Sequence, residues 1–283
     1  GHRDCEPRQA NAIQHLHRSP ARPGSDLATP LVSAVCLALL WSLEGLIPMF
    51  EGREHRAQHD LANLLLGTFN AIIVSMGLAT ATLAITLWAS DREFGLLNQI
   101  DLPAWATLIV AVVVFDAWQY LWHRLNHRIP FLWRFHAVHH TDADLAASTA
   151  LRFHTGEIVF SSLARLAVLP LLGLTIPHLL AYETILLPIV LFQHSNIQVP
   201  GRLDRWLRTV IVTPWMHWVH HSDWQPETDS NYSSIFSVWD RIFRSFRLRK
   251  NPRQIRLGLG VEEKEWRTLR GMILTPLRSV TRS

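Results

Sequence analysis

The 283-residue sequence predicts an all-α integral membrane protein: about three transmembrane helices and a helical hairpin, with a helical cap on one face of the bilayer. Three observations predict it. Apolar runs occupy 27–50, 61–89 and 102–120, against the ~20 residues that cross a bilayer. A further apolar stretch, 158–193, is divided near Gly173 and Pro177. The polar segments that follow carry histidines at helical spacing.

The polar start, 1–26, reads as an extension outside the helical body, with no signal-peptide pattern. The first run, 27–50, carries one acid, Glu44, and Pro48 near its end. A polar loop, 51–60, leads to twenty-nine uncharged residues at 61–89. A second polar loop, 90–101, precedes the third run, which only Asp116 interrupts before His123. The stretch 158–193 reads as two arms of near fifteen residues, roughly 23 Å each at 1.5 Å per residue. Arms that short imply tilt or a re-entrant hairpin. A hairpin is also what parity demands, because the histidines before and after it must share one side if they meet.

Basic residues assign that side. There are four arginines in 122–157 and fifteen lysines and arginines in 194–283, but only Arg92 in the loop 90–101. The positive-inside rule places the histidine segments on the cytoplasmic face. Three crossings then leave the amino terminus outside, against the pull of its four arginines. Residues 200–212 place Leu203, Trp206, Leu207, Val210 and Ile211 opposite Arg202, Asp204, Arg205 and Arg208, the pattern of a helix lying in the interface. Twelve tryptophans, many near the ends of apolar runs, fit an interfacial belt. The net charge of +4 fits an anionic membrane surface, and nucleic acid is not expected as a partner.

The domain reading is an extension at 1–26 and one membrane-embedded domain at 27–283. The domain divides into a stem, 27–121; a metal-binding cap, 122–157 and 194–250; the hairpin, 158–193; and a basic tail, 251–283.

Six of sixteen histidines fall within 122–157. His123 and His127 are four apart; His136, His139 and His140 follow i, i+3, i+4; His217, His220 and His221 repeat that spacing. Both spacings put imidazoles on one helix face. Eight imidazoles in three clusters exceed what one ion takes, so two neighbouring ions are implied. Imidazole suits iron, zinc and copper. The two cysteines, Cys5 and Cys36, have no C-x-x-C partner, which argues against thiolate zinc and iron–sulfur sites. H-E-x-x-H is absent, a hydrolytic zinc needs only about three ligands, and a transporter would hold its ions near the midplane. A histidine-rich metal-binding or transport protein and a zinc-dependent lipid hydrolase remain as alternatives.

The motifs H-R-L-N-H (123–127), H-A-V-H-H (136–140) and H-W-V-H-H (217–221) resemble the three histidine boxes of the fatty acid hydroxylase/sterol desaturase superfamily. The resemblance spans roughly 44–246. R-F-H-T-G-E (152–157) is similar to the family's Arg-x-His-Pro-x-Glu, with Thr155 where proline is usual. Q-H-S-N (193–196) is similar to another recurrent motif. N-Y-S-S-I-F-S-V-W-D-R-I-F (231–243) resembles Asn-Tyr-Gly…Trp-Asp…Phe, with Ser233 replacing glycine.

The resemblance implies a membrane stem of about four helices under a cytosolic cap that holds two iron ions, which zinc can replace in purified protein. It implies dioxygen-dependent hydroxylation or desaturation of a lipid such as a sterol or fatty acyl chain. The implied ligands are His123, His127, His136, His139, His140, His217, His220 and His221, with His154 and His194 completing ten. The implied reaction needs two electrons, so a separate ferredoxin- or cytochrome-type donor is expected; the basic 241–256 region fits either its dock or an anionic lipid surface. Asp116, Asp142, Asp144, Glu157, Asp223 and Asp240 are candidate partners for the outer imidazole nitrogens. His178 reads as structural, and His55 with His59 as a solvated helix end.

Overall fold

The computed structural model describes residues 28–53, 55–259 and 268–278; the polar extension 1–26 and parts of the basic tail lie outside them. Helix α1 (Ala28–Leu46) is followed by α2 (Arg56–Ile73), a π-helical turn (Val74–Leu78) and α3 (Ala79–Asp91). These last three form one continuous column. With 18, 5 and 13 residues it is roughly 54 Å long, against ~30 Å of bilayer hydrocarbon. Its excess length is its first turns, which carry buried His59, Asp60 and Asn63. Further along, Leu65, Phe69, Ile72, Met76, Leu83 and Leu87 point outward, which suits lipid and would be costly in water.

Helix α4 (Ala104–Arg128) returns, and α5 (Pro130–His140) turns off its end. Helices α6 (Thr155–Leu172) and α7 (Ile176–His194) are the hairpin. The α2–α3 column, α4, α6 and α7 are long and apolar enough to cross a membrane, and α1 contributes a shorter apolar stretch, Leu31–Leu46. Among the described residues there is no strand, only three isolated bridges. The protein is an all-α integral membrane protein.

The hairpin arms are longer than the sequence reading allowed: 18 and 19 residues, about 27 and 28 Å. The apolar residues stop short of the helix ends. Helix α6 starts in the polar T-G-E turn, and α7 runs on through Gln193 to His194. Pro170 and Pro188 lie within the helices rather than ending them, as transmembrane packing permits.

Direction follows from the end contacts. At one end, Glu44 near the close of α1 accepts from the backbone N–H of Ala147 at 2.7 Å and of Asn196 at 2.9 Å, and pairs with Arg56 at the start of α2. At the other end, Gly95 at φ 106° lies against the α6–α7 turn. A Cβ there would fall 2.2 Å from the Pro170 carbonyl oxygen, so only glycine fits. The hairpin therefore leaves and returns to the end where α4 and α1 finish.

That end carries the cap: α5, a 3₁₀ turn (Ala147–Leu151), α8 (Gly201–Leu207), α9 (Pro214–His220), α10 (Gln225–Thr228), α11 (Val238–Ile242) and α12 (Leu269–Leu274). Asp116, at membrane depth on α4, pins the cap to the stem. It accepts from Tyr182 Oη (3.0 Å), the N–H groups of Ile235 (3.1 Å) and Phe236 (3.0 Å), and Trp239 Nε1 (2.8 Å). Around it Phe115, Leu169, Tyr182, Leu186 and Ile235 form an apolar core. Within 200–212, Leu203, Trp206 and Val210 are exposed, Leu207 and Ile211 are half-buried, and Val212 is buried.

Candidate metal centre

Two short helices with the same opening carry six of the histidines. Pro130 and Pro214 each stand at the first helical position, where the missing N–H has no partner to lose. The i, i+3, i+4 spacing then aims His136, His139 and His140 from α5, and His217 and His220 from α9 with His221 at its end, into one space. His123 and His127 reach it from the end of α4, and His194 from the end of α7.

Nine imidazoles gather there in two groups. His123, His127, His136, His140 and His220 offer nitrogens within 4.8 Å of one another. His139, His194, His217 and His221 do the same. Each group draws on both α5 and α9, so the two lie side by side.

The outer nitrogens decide what the inner ones can do. His123 Nδ1–H donates to the Tyr232 carbonyl (2.9 Å), His220 Nδ1–H to the Ser230 carbonyl (2.6 Å), and His194 Nδ1–H to the Val190 carbonyl (2.7 Å). His136 Nδ1–H donates to Glu157 Oε1 at 2.7 Å. A carbonyl can only accept, so these bonds fix the tautomer and leave each Nε2 as a bare lone pair. His123 Nε2 and His220 Nε2 nevertheless lie 3.0 Å apart. Two lone pairs at that distance repel unless a cation lies between them. The other Nε2 contacts, His139–His194, His194–His217, His217–His221 and His136–His140, run from 2.9 to 3.2 Å. With metal–nitrogen bonds of ~2.1 Å, adjacent ligands at right angles are ~3.0 Å apart. The donor set fits metal ions.

Burial pushes His139, His140, His217 and His221 well below the usual imidazole range, and neighbouring imidazoles push them further. Burial takes His220 to about 3, although its bond to Ser230 opposes the shift. These rings are neutral at pH 7, the form that binds a metal.

His154 does not join them. Its Nδ1 accepts from the Gly156 N–H (2.9 Å), capping α6, and its Nε2 donates to the Ile273 carbonyl (3.1 Å). Both nitrogens are used, so the structure separates His154 from the other nine of the ten expected residues.

Of the carboxylates expected to back the imidazoles, Glu157 does so. Asp116 bonds only to Tyr182, Trp239 and backbone. Asp240 accepts from the backbone of Tyr232 and Ser233 and from Ser245 Oγ. Asp142 meets His59 at 2.9 Å and Thr149 Oγ1 at 2.7 Å. Burial pushes the Asp142 carboxyl up, but the adjacent charges of His59 and Arg152, with hydrogen bonds from His59 and Thr149, hold it well below the usual range.

His59 corrects the solvated-end reading: it is buried, while His55 is exposed. Its network extends through Asp60, Ser148 Oγ (2.5 Å from Asp60), Asn63 and Arg152. The signal lay in the spacing of His59, Asn63 and Asn70, a polar stripe down one face of an apolar helix. Asp229, 3.6 Å from His127 Nδ1, was also missed, and nothing in its spacing marked it.

A cavity of about 270 Å³ opens from the histidines between α4, α6 and α7. His123, His136, His139 and His194 line one end; Leu186, Leu187, Val190 and Ile158 line its course.

Residues 108–245 match the family described as fatty acid hydroxylase. The chain is 28% identical over 232 residues to ornithine lipid hydroxylase OlsE from Rhizobium tropici, covering 79% of this chain and 68% of that protein. It is 28% identical over 228 residues to alkylglycerol monooxygenase from Homo sapiens, covering 77% and 47%. It is 26% identical over 160 residues to cholesterol 25-hydroxylase from Rattus norvegicus, covering 55% and 51%. The chain thus spans about half the length of the latter two. No solved structure matches it.

Proposed function

We propose, for a chain that belongs to the fatty acid hydroxylase superfamily, the function of a membrane-bound, dioxygen-dependent oxidoreductase that hydroxylates or desaturates a C–H bond of a lipid. His123, His127, His136, His140 and His220 would hold one iron, and His139, His194, His217 and His221 a second. Bound there, the irons supply the reduction of dioxygen and the attack on an unactivated C–H bond. The facing nitrogens of His123 and His220, within a cluster of nine buried imidazoles, carry this reading, because a metal ion bound by both would turn their repulsion into coordination.

The remaining work belongs to the chain. Glu157 and the carbonyls of Tyr232, Ser230 and Val190 orient four imidazoles. The wall of Leu186, Leu187, Val190 and Ile158 keeps water from the reacting carbon and receives an acyl or sterol skeleton. The two external electrons come from a separate ferredoxin- or cytochrome-type donor. The basic cap around Arg244, Arg247, Arg249 and Arg253 is its docking face, turned to the cytoplasm. The metal site stands at the end of the apolar columns rather than at mid-depth, which favours an oxygenase over a transporter.

The test is metal analysis of anaerobically purified protein, followed by lipid mass spectrometry with and without dioxygen. Two irons per chain, and a lipid that gains one oxygen atom or loses two hydrogens only when dioxygen is supplied, are expected. Product formed under strict anoxia would favour the zinc hydrolase instead.

A further inference from the structure

The cavity that starts at the histidines ends on charge. Arg165, the eleventh residue of α6, and Glu183, the eighth of α7, lie about halfway along the two arms and both line it. Arg165 Nη1 donates to Glu183 Oε1 at 3.1 Å. The side chains keep 30% and 29% of their surface accessible, so the pair forms part of the wall. Charges at that depth are costly and mark a substrate or ion path more often than a scaffold.

The pair is incomplete as a scaffold. Only one guanidinium nitrogen is used, and the buried Nε makes no hydrogen bond. Arginine–carboxylate pairs frequently form two parallel bonds, and this one forms one. The guanidinium lines a cavity whose wall is mostly apolar, with Gln119, Ser161 and Gln193 among its other polar residues. Distance adds a second constraint. Glu183 lies eleven residues before His194, about 16 Å along α7. The guanidinium lies 5.7 Å from the Phe115 ring, and Phe115 is eight residues, about 12 Å, before His123.

We propose that Arg165 is the polar anchor of the substrate cavity: it binds an oxygen-acceptor end group of an amphiphile, a carboxylate or an acyl carbonyl, and Glu183 holds it in place. The inference rests on the oxygenase reading and adds the substrate class. The substrate carries an acceptor group about 12–16 Å from the carbon that reaches the histidines. Arg165 selects substrate and sets the oxidised position; it takes no part in the chemistry.

The test measures binding without turnover, on metal-loaded full-length protein in anaerobic micelles. The probes are palmitate, methyl palmitate and hexadecane, which share a chain and differ in the end group. Wild-type protein is expected to bind palmitate about tenfold or more tighter than hexadecane, as a charge-assisted hydrogen bond allows. A comparable preference for methyl palmitate assigns the carbonyl; its absence assigns the carboxylate. Arg165→Met should abolish the preference while hexadecane binding stays. The exchanged pair R165E/E183R keeps an ion pair between the helices but moves the guanidinium to the α7 wall, so a staple would be restored and an anchor held on α6 would not. Equal binding of palmitate and hexadecane by wild type, or a preference preserved in R165E/E183R, overturns the inference. Selective palmitate binding by a protein that never forms an oxidised lipid would instead overturn the oxygenase reading and leave the anchor standing.

Discussion

His123 Nε2 and His220 Nε2 face each other at 3.0 Å across ninety-seven residues of chain. Each is held in that position by a carbonyl on its other nitrogen, from Tyr232 and Ser230, two residues of one loop. The loop thus sets both rings at once. Asp240 holds it in turn through the N–H groups of Tyr232 and Ser233. The contact is repulsive between two bare lone pairs, and a metal ion bound by both rings would make it favourable.

Replacing His220 by alanine should remove one iron per chain and stop lipid oxidation. The loss should exceed the ~10–100-fold expected for an outer partner. His154→Ala should keep both irons and lose the cap of α6 and the bond to the Ile273 carbonyl, about 1–2 kcal/mol of stability. Metal content and melting temperature of the two variants check this. Loss of iron from the His154 variant would return that residue to the ligand set.

Glu157→Gln tests the carboxylate behind His136. The amide keeps the shape and removes the charge that fixes the Nδ1–H tautomer. Metal affinity should fall by about 10–100-fold in one of the two sites. Competition with a chelator should release one ion early and leave the second at its wild-type rate.

The membrane columns and the meeting of three histidine clusters were legible, because apolar length and i, i+3, i+4 spacing are local signals. The parity of the hairpin followed from requiring its flanking histidines to meet. Its start was not legible: Thr155 and Glu157 are polar residues inside α6. His154 shares a motif with Glu157, so sequence could not separate the residue that caps α6 from the one that backs His136. Asp116 was legible as an acid interrupting an apolar run, but it backs no imidazole: its partners Ile235, Phe236 and Trp239 come from about 120 residues away and Tyr182 from 66, where no spacing connects them.

Acid should destabilise the metal-free protein. In the unfolded chain an imidazole protonates near 6.5, whereas burial lowers His220 to about 3 in the fold. Between those values the unfolded state binds more protons, so stability falls as pH falls. His220 alone contributes a loss of about 2 kcal/mol between pH 6.5 and pH 5. His139, His140, His217 and His221 shift in the same direction. The melting temperature of chelator-treated protein should drop steadily over this range, while iron-loaded protein resists until the metal leaves. A metal-free protein equally stable at pH 5 and pH 7 would contradict the buried, neutral cluster.

Asp116→Asn should uncouple the cap from the stem. The carboxylate accepts four hydrogen bonds, two from the backbone of Ile235 and Phe236 and two from Tyr182 and Trp239. An amide offers one oxygen, and its NH2 meets either the N–H groups of Phe236 and Trp239, or the N–H of Ile235 and the Tyr182 hydroxyl, which alone of the four can turn to accept. At least one backbone bond must then fail in a buried place, at about 1–3 kcal/mol. The apolar columns need no help from Asp116 to stay in the bilayer, so the damage should be confined to the segment from Tyr232 to Asp240. That segment supplies the carbonyl that orients His123. Hydrogen exchange should therefore rise in 231–243 while the hairpin stays protected, and iron occupancy should fall in the same variant. Rapid exchange with both irons retained would show that the loop and the metal site are independent.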